Sequence, residues 1–81
     1  MDVKIAKQAE KYYLSQDRIS RQRLKKGLSA LEKEPPEGDI IPIHEMPGVF
    51  RLRIGDFRVL FKVNNNEIIV TKIHSRGQIY K

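Results

Sequence analysis

The sequence predicts an α+β fold: a short N-terminal strand followed by two helices packed on one face of a small, mainly antiparallel β-sheet. Three observations predict it. From Val49 to Val63 apolar and polar residues alternate at period two around Gly55-Asp56, a hairpin signature, since successive strand side chains point to opposite sides of a sheet. Upstream, two stretches repeat apolar residues near helical spacing, and downstream Glu67 to about Ile73 reads as a further long strand. The chain of 81 residues reads as one domain, 1–81, whose single core is too small to enclose a large cavity.

Asp2-Val3-Lys4-Ile5 alternates and suits a first strand leading straight into a helix. Between Ala6 and about Ser15, Ala6, Ala9, Tyr12 and Tyr13 recur near helical spacing with polar residues between them, an amphipathic helix. Asp17 can cap a second helix, because its carboxylate can accept from free N-H groups of the first turn. That helix is expected to run to about Glu34 with Leu24, Leu28 and Leu31 as its apolar stripe. Gly27 within it costs about 1 kcal/mol relative to Ala, which implies close packing against another element. Pro35-Pro36 ends the helix. Ile40, Ile41, Ile43 and Met46 then read as a connection pinned to the core and broken by Pro42 and Pro47. After the hairpin, Asn64-Asn65-Asn66 forms a second turn. Ile68, Ile69, Val70 and Ile73 make both faces of the following strand apolar, as in a central strand covered on both sides.

A two-residue hairpin loop sets Ile54 opposite Phe57, Arg53 opposite Arg58 and Leu52 opposite Val59. Phe50, Leu52 and Ile54 then share one face, and Arg51, Arg53 and Arg58 the other. Two arginines directly across from each other cost stability. They read either as a solvated hairpin face whose long stems cover apolar surface, or as a fixed guanidinium cluster suited to a polyanion, since Arg presents paired donors that match phosphate oxygens.

With 16 Lys+Arg against 10 Asp+Glu the net charge is +6, which favours nucleic acid, an acidic protein or an anionic surface as partner. Arg18, Arg21, Arg23, Lys25, Lys26 and Lys33 make the outer side of the second helix basic, either as a solvated face or as a groove for RNA or an acidic partner. Cysteine is absent, which excludes disulfides and thiolate metal sites, and His44 and His74 are too few for a histidine cage, so no metal or other cofactor is expected. No stretch approaches the roughly 20 apolar residues needed to span a bilayer, so the expected location is the cytoplasm.

The run Phe50-Arg51-Leu52-Arg53-Ile54-Gly55-Asp56-Phe57-Arg58-Val59, with the terminal Arg76-Gly77-Gln78-Ile79-Tyr80-Lys81, resembles the RelE/ParE superfamily of type II toxin-antitoxin toxins over nearly the whole chain. The resemblance implies a RelE-like toxin domain held inactive by a cognate antitoxin. It further implies a metal-independent endoribonuclease that cuts mRNA in the ribosome. Carried over by motif, Arg51, Arg53, Arg58 and Arg76 are the basic site residues, with Tyr80 the terminal tyrosine. The family often has Gly-His-Arg at the end of the last strand, where this chain reads His74-Ser75-Arg76, so the family's histidine position is not matched. Glu45 stands where one subgroup keeps a catalytic glutamate; the alternative is an ordinary loop carboxylate.

Cleavage of this kind uses the ribose 2′-hydroxyl as nucleophile. It needs a base for that hydroxyl, cations at the charged phosphorane, and an acid for the departing 5′-oxygen. Arg58 and Arg76 are the candidates for clamping the phosphate, with Arg51 and Arg53 adding electrostatic support. Tyr80 is a candidate base if neighbouring guanidinium groups favour its phenolate; it can equally stack on an exposed RNA base or cover the core edge. His74 is a candidate acid if the last strand turns it toward the cluster, and otherwise a structural residue. Two other functions stay open: a ParE-like DNA gyrase inhibitor without nuclease activity, and an inactive RNA-binding relative.

Overall fold

The computed structural model describes residues 1–75. Its elements are β1 (Asp2–Ile5), α1 (Lys7–Leu14), α2 (Arg18–Ala30), β2 (Asp39–Pro42), β3 (Val49–Ile54), β4 (Phe57–Asn64) and β5 (Glu67–Ser75). The five strands form one sheet in the order β1-β5-β4-β3-β2, in which β1 runs parallel to β5 and every other neighbouring pair is antiparallel. This is the expected α+β arrangement.

Both helices cover the same face of the sheet. Ala9 of α1, Leu24 and Leu28 of α2 and Leu31 just beyond it join Leu52, Val59, Phe61, Ile68, Val70 and Ile73 in one buried cluster. Phe50 stacks on Phe61 across the β3–β4 ladder with ring centroids 5.6 Å apart, which ties the hairpin to the core. Asp17 caps α2 as expected: its Oδ1 accepts from the Ser20 backbone N–H at 2.7 Å.

The hairpin register is the one a two-residue loop demands, with Ile54 opposite Phe57 and Arg53 opposite Arg58. Gly55 supplies the positive φ of +58° for that turn. Gly27 also behaves as its cost implied. A Cβ there would lie 2.7 Å from Ile54 Cγ1, so the glycine is what lets α2 approach β3.

Three features differ from the sequence reading. Helix α2 ends at Ala30 and not near Glu34, and the following residues form turns before Pro35. The segment read as a connection contains β2, which pairs Asp39 with Arg53 and Ile41 with Arg51 at the edge of the sheet. Proline is tolerated at a sheet edge, so Pro42 ends this strand without forbidding it. Finally, β5 is not apolar on two faces. The ladder with β4 shifts between Leu60 and Phe61, so that Leu60 faces Lys72 while Phe61 faces Val70. Thr71 is the extra residue, and its hydroxyl donates to the Leu60 carbonyl at 3.3 Å. The bulge reverses parity, so Ile68, Val70 and Ile73 all point into the core at 0 %, 0 % and 2 % exposure. Ile69 is left on the opposite face.

Candidate nucleic-acid interface

The face of the sheet away from the helices follows from these registers. At one end of the ladder a row runs Asp39 (β2), Arg53 (β3), Arg58 (β4), His74 (β5). The next row runs Ile41, Arg51, Leu60, Lys72, and beyond it Val49 pairs with Lys62, which pairs with Ile69. Arg51, Arg53, Arg58, Lys62 and Lys72 therefore share one side of three adjacent strands, with His74 at its edge. The hairpin set Arg51, Arg53 and Arg58 is brought together as expected.

Asp39 is a component that sequence reasoning missed. Its Oδ2 forms an ion pair with Arg53 Nε at 2.9 Å, and its Oδ1 accepts from Arg51 Nη2 at 3.3 Å. The Arg53–Arg58 conflict thus has a structural answer in a third strand. Opposed residues about 5 Å apart repel in water by about 1 kcal/mol when both carry a unit charge, and the attraction of Asp39 for Arg53 is of the same order with opposite sign. Arg51 and Arg53 differ in setting. The Arg51 side chain is 14 % exposed, lying between Ile41 and Leu60, whereas that of Arg53 is 52 % exposed. Arg51 Nε is buried with no hydrogen-bond partner among the described residues, an unmade bond of the kind that marks a functional site or a missing partner group.

His74 stands directly across the ladder from Arg58, and its ring lies 6.2 Å from that of Tyr12, which meets Phe57 edge-on. Glu45 is exposed on the loop between β2 and β3, which joins the sheet at Val49, the residue paired with Lys62. Arg76 and Tyr80 lie outside the described residues.

Lys62 and Lys72 were also missed as members of this face. Period-two spacing from Arg58 marks Lys62 directly; the bulge at Thr71 hid Lys72. Among the described residues no group of three or more His, Cys, Asp or Glu is placed to hold a metal ion, and no helix is long and apolar enough to cross a membrane.

The β1-β5-β4-β3-β2 sheet thus has helices confined to one side and a cation-rich opposite face. A family model described as the ParE toxin of the type II toxin-antitoxin system parDE matches residues 3–80. The chain belongs to that family, within the RelE/ParE superfamily, and is a type II toxin-antitoxin toxin. Among solved structures, it is similar to the archaeal RelE–RelB complex from Pyrococcus horikoshii OT3, with 31% identity, a TM-score of 0.79, and coverage of 95% of this chain and 96% of that one. The RelB–RelE antitoxin-toxin complex from Methanococcus jannaschii matches at 24% identity and TM-score 0.77, covering 95% of this chain and 94% of that one. The isolated E. coli RelE toxin matches at 18% identity and TM-score 0.77, covering 98% and 89% respectively. Among curated protein sequences none matches the chain.

Proposed function

We propose that this toxin is a metal-independent endoribonuclease that cuts mRNA in the ribosome, through attack of the ribose 2′-hydroxyl on the adjacent phosphorus. The observation that supports it is the pair Arg53–Arg58 with Arg51 beside it on the side of the sheet that carries no helix, and His74 across the ladder from Arg58, its ring reaching toward Tyr12 of α1. Strand-borne guanidinium groups are held before the substrate arrives, so they stabilise the phosphorane without reorganising. Arg58 lies at the centre of the row and clamps the phosphate. Arg51 and Arg53 add positive potential on one side, and His74 stands on the other as a candidate acid. Arg76 and Tyr80 complete the set, Tyr80 as base or as a platform for an unstacked base.

A cognate antitoxin is the expected partner, since relatives of this fold occur in toxin-antitoxin complexes. Its acidic or amphipathic segment would cover the cationic face or lie along the helices. A toxin acting on translating ribosomes would do so in the cytoplasm, which is the location this reading expects.

The test uses purified toxin with ribosomes carrying a short mRNA. Cleavage within the occupied codon is expected, undiminished by a chelator and strongly reduced by Tyr80→Phe. Cleavage that requires a divalent ion would contradict the chemistry. A second reading is favoured by the family model itself, whose description is a ParE toxin. In that reading the protein inhibits DNA gyrase, mRNA stays intact, and the toxin blocks supercoiling in a purified gyrase reaction.

A further inference from the structure

Asp39 is a carboxylate set inside a patch that is otherwise cationic, and it touches two of the arginines at once. It reaches them because β2 pairs with β3 in the register that sets Asp39 beside Arg53, one row from Arg51. A carboxylate that served only to lower the net charge could stand anywhere nearby. This one divides its two oxygens between two guanidinium groups, Oδ1 to Arg51 and Oδ2 to Arg53. Arg51 gains most from it. Its side chain is only 14 % exposed, its Nε has no partner among the described residues, and Asp39 is the one carboxylate it meets there. A guanidinium so far removed from water keeps its place only while an opposite charge holds it.

We infer that Asp39 is a positioning residue for the proposed nuclease: it fixes Arg51 and Arg53 side by side on β3, beside Arg58, which has no ion-pair partner among the described residues and grips the scissile phosphate. The inference rests on the ribonuclease reading. Loss of the carboxylate has two opposed effects. One more net positive charge and two released guanidinium groups strengthen the hold on RNA in the ground state. The same groups, no longer fixed, stabilise the transition state less, because misplacement of a positioned group by about 1 Å can cost up to a hundredfold in rate.

The experiment measures single-turnover cleavage of ribosome-bound mRNA together with affinity for the same mRNA carrying a 2′-deoxy nucleotide at the scissile position, for wild type, Asp39→Ala, Asp39→Asn and Asp39→Glu. Thermal unfolding fixes the folded fraction of each. Asp39→Asn keeps the shape and one acceptor oxygen, so it carries the test if Asp39→Ala fails to fold. Expected for Asp39→Asn are a maximal rate about tenfold to a hundredfold lower, tighter binding, and a log-affinity against log-salt slope steeper by about 0.7, the contribution of one further phosphate contact. Asp39→Glu, which restores the carboxylate, is expected to recover most of the rate. A purely structural role would lower rate and binding together in step with the folded fraction, and would overturn the inference. So would an unchanged maximal rate, whatever happened to affinity. Wild-type protein that leaves the mRNA intact overturns the nuclease reading and this inference with it, whereas wild-type cleavage matched by Asp39→Asn overturns this inference alone.

Discussion

Arg58 has Arg53 beside it on the ladder and Lys62 and Lys72 on the same face, so its charge sits where the fold already carries a surplus of cations. Removing it relieves repulsion. Arg58→Gln, which retains much of the apolar stem, is therefore expected to leave the melting temperature unchanged or slightly raised. Cleavage should fall about a hundredfold to a thousandfold, the usual loss when one preorganised donor is removed from a developing charge. Parallel melting and kinetic measurements check it; a variant that loses both stability and activity would make Arg58 a packing residue. Asp17 is the opposite kind of residue, structural and remote from the patch. The hydrogen bond from the Ser20 backbone N–H holds its carboxyl below the ordinary value of 3.8, helped by the Ser20 hydroxyl and by Arg21 and Arg23 nearby. A folded-state value below the unfolded one stabilises the protein above the unfolded value, and that stability is lost as pH falls through the folded one. Melting curves should show Asp17→Asn, which keeps a capping oxygen but cannot titrate, losing less stability than wild type between pH 5 and pH 2, about the range in which carboxylates protonate. Equal losses would place the acid sensitivity elsewhere. At this scale Arg51, Arg53 and Arg58 were legible because strict alternation assigns them a face. Asp39 was not, because its role depends on a strand pairing that no local pattern announces.

The elements explain why. The hairpin of β3 and β4 is self-contained: its loop chemistry, its period and its register all lie within one stretch of sequence. Strand β2 is four residues long, carries Pro42, and exists only because β3 offers it an edge. Strand β5 misled for another reason, since the bulge at Thr71 lets residues of both parities reach the core and makes a one-sided strand look two-sided. That α2 packs closely against another element was anticipated from Gly27 alone, although neither β3 nor Ile54 was identified as its partner. That contact yields a sign reversal. In wild type, Gly27→Ala should destabilise by about 1–2 kcal/mol, because the added methyl overpacks against Ile54. In an Ile54→Ala background the same change should stabilise by about 0.5–1 kcal/mol, the ordinary gain in helix propensity. Denaturant unfolding of the four proteins checks it, and additive effects would mean that the glycine serves no close approach.

For the whole molecule, the sheet divides the work: one face builds the core with the helices, and the other presents cations from three adjacent strands. A second block of positive charge lies on α2, where Arg18, Arg21, Arg23, Lys25 and Lys26 meet no acidic residue within the helix, so on the proposed reading binding to RNA has a diffuse part and a focused part. With Arg58 and the net single charge of the Arg51–Arg53–Asp39 group meeting single-stranded phosphates, log affinity should fall against log salt with a slope of about −1.4 from this face. Arg58→Gln should make that slope shallower by about 0.7, whereas a variant at an uninvolved surface lysine should not. The central claim is that this cationic face cleaves translated mRNA. It is tested most directly by inducing the toxin alone in growing cells and mapping new RNA 5′ ends across the transcriptome. The account predicts ends that fall within translated codons, appear before growth arrest is complete, and vanish with Arg58→Gln. Intact mRNA in arrested cells, with chromosomal supercoiling collapsed, would contradict it.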